Sequence, residues 1–254
     1  MNNYTYHFCI PTPWRDPINE PKCVNGLSKV CQELKLNYKI FFVCNESSLK
    51  PGFHAQKFED PNIIKLSHDL NYSISRSINM GAKESVGKSD FFCFVQSDIF
   101  FNDLSWLQDC IDLYEKYEDV GVIGCRPHST FENYNIVLGE INNKAYYKVL
   151  WSDGIMFFKT SHFEIAGLFD EGYFGDKESQ DFCYKLHDKS YHNIWLPQAT
   201  SVIHESTQWH KKTNTDPSKY MQCVADSGKL FKNKWHHWEQ THINLLKSQD
   251  INWK

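Results

Sequence analysis

Asp98 closes the run Asp90-Phe-Phe-Cys-Phe-Val-Gln-Ser-Asp98, in which five consecutive apolar residues, Phe91 to Val95, stop abruptly at Gln96-Ser97-Asp98. The run is too short for a helix and predicts a buried strand with a carboxylate at its carboxyl end. In open α/β sheets that end is where ligands sit. An acid in this position also serves simply to shape the following turn, so position alone leaves both roles open. A second stretch rich in reactive side chains lies far downstream, from Phe169-Asp-Glu-Gly-Tyr-Phe174 through Glu178 and Asp181 to His204. Carboxylates and imidazoles are the groups that exchange protons or hold divalent cations. Glu178 and Asp181, three residues apart, share a face if that stretch is helical, where acids are also simply at home in a solvated first turn.

The elements that must position these groups alternate. Tyr4 to Ile10 predicts a first strand, stopped by Pro11-Thr-Pro13. From Pro21 the positions Val24, Leu27, Val30, Cys31 and Leu34 predict a helix, and Tyr38 to Val43 a second strand ending at Cys44-Asn-Glu-Ser-Ser48. Ile63 to Leu66 predicts a short third strand. Ile74, Ile78, Ala82 and Val86 stripe a helix within 71–87. After the strand ending at Asp98, Leu104, Leu107, Ile111 and Tyr114 mark another helix, and Val120 to Cys125 another strand. The stretch from Arg126 to Lys148 is polar and aromatic without a sustained period, which fits a substrate-covering loop or an irregular β excursion. Val149 to Lys159 resumes as a strand, with a bulge or a close backbone approach expected at Ser152-Asp-Gly154. A short helix capped by Thr160 or Ser161, a helix from Glu178 to Asp188, and strands at His192 to Pro197 and Ser201 to His204 complete the body. Tyr220, Val224 and Phe231 then stripe a terminal helix. This is an α/β pattern with a helical extension.

Composition narrows the classes. With 254 residues, 41% hydrophobic and 15% aromatic, the chain can bury a full core, and its formal charge of −4 gives no field that would draw it to nucleic acid or an anionic membrane. The nine cysteines are odd in number and contain no Cys-x-x-Cys spacing, so they read as reduced core residues rather than a disulfide framework or thiolate zinc site. No signal peptide and no apolar run of membrane-spanning length is present, and a soluble, cytoplasmic protein, at most peripheral to a membrane, is expected.

The ordered landmarks Ile10-Pro-Thr12, Val43-Cys-Asn-Glu-Ser47, Asn71-Tyr-Ser followed by Asn79-Met-Gly81, Gln96-Ser-Asp98, Phe169-Asp-Glu-Gly-Tyr-Phe174, Glu178-Ser-Gln-Asp181, His204 and Phe231-Lys-Asn-Lys-Trp235 resemble the family 2-like glycosyltransferases of the GT-A fold. The resemblance spans nearly the whole chain and rests on order, since no single landmark is specific. It implies a Rossmann-like, mixed, mostly parallel sheet flanked by helices. A catalytic domain over 1–212, with a nucleotide-binding half to about 125 and an acceptor half from about 126, would precede a helical extension over 213–254.

The resemblance further implies inverting sugar transfer from a nucleotide sugar (UDP-, GDP- or dTDP-linked) to an acceptor hydroxyl on a glycan, a lipid-linked glycan or a modified nucleic acid. A divalent cation, Mn²⁺ or Mg²⁺, would stabilise the leaving diphosphate as a Lewis acid, with Asp98 and His204 as its ligands. Gln96 stands where the family often has the first acid of an Asp-x-Asp motif. Pro11, Asn45 and Glu46 would hold base and ribose, and Arg76, Gln96 and Ser97 would lie along the diphosphate. Asp153 and Gly154 would border the donor sugar, with Trp151, Tyr173 and Phe174 as candidate sugar-stacking faces. The family's base is the second acid of a Glu-Asp pair, but here that position is Ser179, so Glu178 or Asp181 would have to take the acceptor proton. Two other classes compete: a degenerate nucleotide-sugar or glycan-binding module, and a sugar nucleotidyltransferase, against which Pro11-Thr-Pro-Trp-Arg15 offers no glycine-rich phosphate loop. The basic and aromatic C-terminal stretch around Lys229, Lys232, Lys234, His236 and His237 fits acceptor docking, an interface, or packing across the catalytic domain.

Overall fold

The computed structural model describes residues 4–13, 18–45, 51–70, 73–127, 136–197, 201–204 and 217–248, excluding the side chains of 51, 126–127, 136–137, 204, 217 and 237–248. Among these, β1 (Thr5–Thr12), α1 (Asn19–Glu33) and β2 (Asn37–Cys44) open the chain, followed by a short α2 (Pro51–Ala55), β3 (Ile63–Ser67), α3 (Ile74–Ser85) and β4 (Phe91–Val95). Next come β5 (Ile99–Phe101), α4 (Ser105–Lys116), β6 (Val120–Pro127), β7 (Ile136–Ile141), β8 (Lys144–Val149) and β9 (Ser152–Lys159). The chain continues through α5 (His162–Ala166), α6 (Glu178–Asp188), β10 (His192–Trp195), β11 (Val202–His204) and α7 (Pro217–Ser248).

The main sheet has the order β3-β2-β1-β4-β9-β6-β10-β8-β7, and β5 pairs separately with β11. The parallel set β3-β2-β1-β4 carries the first half of the chain. β9 then runs antiparallel between β4 and β6, and β10 resumes parallel to β6. Five-residue β4 is buried throughout, as a strand flanked on both edges must be. The predicted proline stop at Pro11 does not hold, because β1 continues to Thr12. The β1–β4 ladder ends at Cys9 opposite Phe94, while the β1–β2 ladder runs on to Thr12 opposite Cys44. Thr12 O accepts from Asn45 N on the β2 side, so alternation turns Pro11 toward the edge where pairing has already ended and its missing N–H is not needed.

The stretch at 136–149 is the β excursion: β7 and β8 form a hairpin whose turn residues Asn142 and Asn143 both have positive φ, 48° and 64°, as a tight right-twisting hairpin requires. Residues 128–135, which might have covered a substrate, lie outside the described residues. Val149 belongs to β8 rather than to the strand after it. The expected irregularity near Gly154 is present: its φ is 80°, and the β6–β9 register shifts between Gly124 and Arg126.

Helices α1 and α3 pack on the parallel half. Gly81 of α3 lies against β1 so closely that an added Cβ would stand 2.7 Å from Cys9 Sγ and 3.0 Å from Cys9 Cβ. All the cysteines are unbridged, and every one except Cys223 is buried. Gly81→Ala gains about 1 kcal/mol of helix propensity but overpacks the α3–β1 contact by about 1–3 kcal/mol. The expected result in urea denaturation is a net destabilisation that is relieved when Cys9→Ala is added.

Candidate functional site at the carboxyl edge of the sheet

The turn after β4 is tightly held. Gln96 N donates to Gly154 O at 3.1 Å, and Ile99 N donates to Gln96 O at 3.1 Å, closing a turn with Ser97 and Asp98 at its centre. The Cys23 thiol donates to Ile99 O at 2.7 Å and so ties this turn to α1. β5 then pairs antiparallel with β11, which sets His204 opposite Ile99. The backbones of Asp98 and His204 are therefore neighbours across one ladder, although more than a hundred residues separate them in sequence. The strand at 202–204 was legible in the sequence, but β5 and its pairing were not, because β5 is only three residues long.

Asp98 is half-buried. The imidazole of His204 lies outside the described residues. Among the described residues, no group of three or more His, Cys, Asp or Glu side chains forms a metal cage. Asp98 is the described residue of this pair that could offer a carboxylate oxygen to a divalent cation.

The first two strands end alongside. Pro11 is buried at the end of β1, and Asn45 follows β2 at 4% exposure, with its Oδ1 buried and lacking a hydrogen-bond partner among the described residues. Glu46 lies outside the described residues. Arg76 is exposed on the first turn of α3 and forms an ion pair with Glu171 at 3.7 Å.

Glu178 and Asp181 sit in the first turn of α6, as their spacing suggests, but that turn is not a solvated one. Glu178 is 8% exposed and Asp181 0%. Burial pushes the Glu178 carboxyl up to about 7; its own amide opposes the rise, while the charges of Asp176 and Asp153 add to it and Lys177 opposes it. Its Oε2 is buried without a hydrogen-bond partner among the described residues. Asp153, half-buried on β9 beside Gly154, links this acid to the turn at Gln96.

Asp181 has a different environment. Its carboxylate takes Lys234 Nζ at 2.8 Å, Lys185 Nζ at 2.9 Å, Trp235 Nε1 at 2.7 Å and the Tyr173 hydroxyl at 3.2 Å. Tyr173 is wholly buried and Trp151 only 6% exposed, so neither offers an open face to a sugar, which corrects the expectation for Tyr173 in particular. Asp170 pairs with Lys234 at 3.2 Å, and Glu171 accepts from Asn79 at 3.0 Å. Asn79 also clasps the backbone of Phe169, donating to its O at 2.9 Å and accepting from its N at 3.0 Å.

A sequence model described as glycosyl transferase family 2 matches residues 19–170, more than half of the chain. The chain belongs to glycosyl transferase family 2. No curated protein matches the sequence significantly. Among solved structures this family 2 glycosyltransferase is similar to TarS 1–349 of S. aureus, with a TM-score of 0.54 and 14% identity over 90% of this chain and 72% of that one. It is also similar to the catalytic domain of Drosophila β1,4-galactosyltransferase 7 in complex with xylobiose, with a TM-score of 0.52 and 14% identity over 86% and 79% of the two chains. A third is the mannosyltransferase PcManGT of Pyrobaculum calidifontis in complex with GDP-Man and Mn²⁺, with a TM-score of 0.55 and 13% identity over 82% and 59%. The fold is the GT-A fold, with mostly parallel strands flanked by helices and a C-terminal helix.

In this family 2 glycosyltransferase, sequence reasoning placed Lys234 and Trp235 within a landmark but did not find their partner, Asp181. The signal was indirect: a buried acid needs cations, and the aromatic, lysine-rich Phe231-Lys-Asn-Lys-Trp235 could supply them. The described part of α7 packs against the rest of the fold, with Phe231 in the core and Trp235 bonded to Asp181.

The raised Glu178 carboxyl has a consequence for stability. Folding favours its protonated form, so that contribution is complete below the unfolded value near 4.5 and is lost as pH rises through the folded value of about 7. At about 1.4 kcal/mol per pH unit, the loss above pH 7 is about 3 kcal/mol. Glu178→Gln is therefore expected to stabilise the fold by up to that amount at pH 8 and to change little at pH 4, as measured by urea denaturation at the two pH values.

Proposed function

We propose that this glycosyltransferase transfers a sugar from a nucleotide-sugar donor to an acceptor hydroxyl, with inversion and with a divalent cation, and that Glu178 accepts the acceptor's proton. The observation that carries this reading is the environment of Glu178: a buried carboxyl with an oxygen lacking a partner among the described residues and a proton affinity near neutrality, within the electrostatic reach of Asp153, whose neighbour Gly154 bonds the turn that bears Asp98. A base poised near the working pH is what deprotonation of a hydroxyl needs. Ser179, in the position of the family's usual acid, cannot do this unaided, and Asp181 is engaged by the ammonium groups of Lys185 and Lys234, with Trp235 and Tyr173 also donating to its Oδ1.

Asp98 and His204 would hold the cation, which when bound would offset charge on the leaving diphosphate as a Lewis acid. Asn45 and Pro11 would contact the nucleoside, with the unpartnered Asn45 Oδ1 available to a donor group. Gln96 and Ser97 line the same turn, and Asp153-Gly154 borders the donor sugar beside Glu178. The diphosphate contact first assigned to Arg76 gains no support from its pairing with Glu171. Bound GDP-Man and Mn²⁺ in the Pyrobaculum protein and xylobiose in the Drosophila one make a nucleotide sugar and a glycan acceptor the first choices here. Among the described residues, no helix is long and apolar enough to cross a membrane.

The test combines binding and chemistry. With Mn²⁺ present, UDP-galactose, UDP-GalNAc, GDP-mannose and dTDP-glucose are screened for a rise in Tm and for slow donor hydrolysis. At least one donor is expected to raise Tm, since a ligand at 100 times its Kd adds about 2.7 kcal/mol to stability. Asp98→Ala should abolish that shift. Glu178→Gln should keep it and slow turnover by about 10²–10⁴-fold, removing an acid limb of kcat near pH 7. A shift without hydrolysis points to the binding module, and no shift with any donor removes the nucleotide-sugar reading.

A further inference from the structure

We propose that α7 is a brace that positions Glu178, with Lys234 as its principal positioning residue; this rests on the reading of Glu178 as the proton acceptor. The segment between Tyr173 and Glu178 has little regular structure of its own. Gly175 and Lys177 both adopt positive φ, 73° and 77°, and Lys177, which immediately precedes Glu178, is a non-glycine residue in the left-handed region. Such backbone persists where its surroundings dictate it.

The surroundings here are one face of α7. Tyr220 lies over Gly175, where an added Cβ would stand 3.0 Å from its ring. Ser227 grips Phe174 at both backbone groups, accepting from its N at 2.8 Å and donating to its O at 3.0 Å. Phe231 packs on Tyr184 of α6 with ring centroids 5.3 Å apart. Lys234 and Trp235 then reach Asp181 at 2.8 and 2.7 Å, one turn beyond Glu178. Residues 220, 227, 231 and 234–235 thus follow helical spacing along one stripe, and that stripe contacts residues before and after Glu178, from Asp170 to Tyr184.

The charge count points the same way. A buried carboxylate needs compensation, and for Asp181 the lysine on its own helix, Lys185 at 2.9 Å, is already in place. The second cation comes from α7 and is shared with Asp170 at 3.2 Å, at the other end of the same segment. Lys234 therefore closes the segment 170–181 across its two ends, with Glu178 inside the span. A displacement of about 1 Å in a reacting group is enough to cost about 100-fold in rate, so a brace on this span acts on catalysis rather than on donor binding at Asp98.

Lys234→Met, Lys234→Arg and Ser227→Ala in the full chain test this. Hydrogen exchange should speed up in the amides of 172–181 in Lys234→Met and Ser227→Ala, with β1, β2 and β4 unchanged, and stay near the parent rate in Lys234→Arg. With the nucleotide sugar that the parent hydrolyses, Lys234→Met should lose about 10- to 100-fold in kcat at unchanged KM, and Lys234→Arg should recover most of it. If Lys234→Met does not fold, Ser227→Ala, which keeps the Asp181 ion pairs, carries the same two readouts. Unchanged exchange over 172–181, or full kcat in Lys234→Met while Glu178→Gln is inactive, overturns the brace and leaves the proton-acceptor reading standing. Full activity in Glu178→Gln removes that reading instead, and with it the catalytic purpose of the brace.

Discussion

The constraint on which the rest depends is that β4 is bonded along both edges. It pairs parallel with β1 from Tyr6 opposite Phe91, and antiparallel with β9 from Phe91 opposite Lys159 to Val95 opposite Ile155. A strand buried on both faces and paired on both sides has no freedom of register, because a one-residue slip would invert every side chain. The ladder therefore fixes where β4 ends and which part of β9 faces that end. Gln96 meets Gly154, and the ladder brings the acids at 98 and 153 to one edge.

Two acids one helical turn apart show how environment divides chemical labour. Glu178 and Asp181 are both carboxylic acids and share a helix and near-complete burial, yet among the described residues ion pairs reach Asp181 and not Glu178. Asp181 is anchored by two lysines, whereas at Glu178 burial without such partners favours the protonated carboxyl. The chemistry of the site is thus set less by which residues are present than by which of them α7 reaches.

Much of the scaffold was legible. The five apolar residues of β4 admit one interpretation, and the stripe of Val24, Leu27, Val30 and Cys31 marks the buried face of α1. What failed did so for identifiable reasons. Leu34 and Val86 continue their stripes but lie past the helix ends and are exposed at 42% and 38%, because periodicity marks a face and not a terminus. The β7–β8 hairpin was ambiguous because its strands are polar and aromatic, although Asn142-Asn143 marked the turn. Pro11 looked like a stop because a single sequence does not say which edge of a strand has run out of neighbours. Type and spacing single out the acids at 98, 178 and 181, but the difference between Glu178 and Asp181 lies in tertiary partners, which no local pattern encodes.

The thiols are distributed unevenly with respect to solvent. Burial holds those of Cys9, Cys23, Cys31, Cys93, Cys110 and Cys183 well above their ordinary proton affinity, so in the folded chain they are both shielded and protonated. Cys223, on the outer part of α7, is the half-buried exception. An alkylating reagent such as iodoacetamide thus meets one accessible sulfur on the native molecule, and every further label it adds records an opening of the core. The chain carries a built-in counter for its own excursions from the native state.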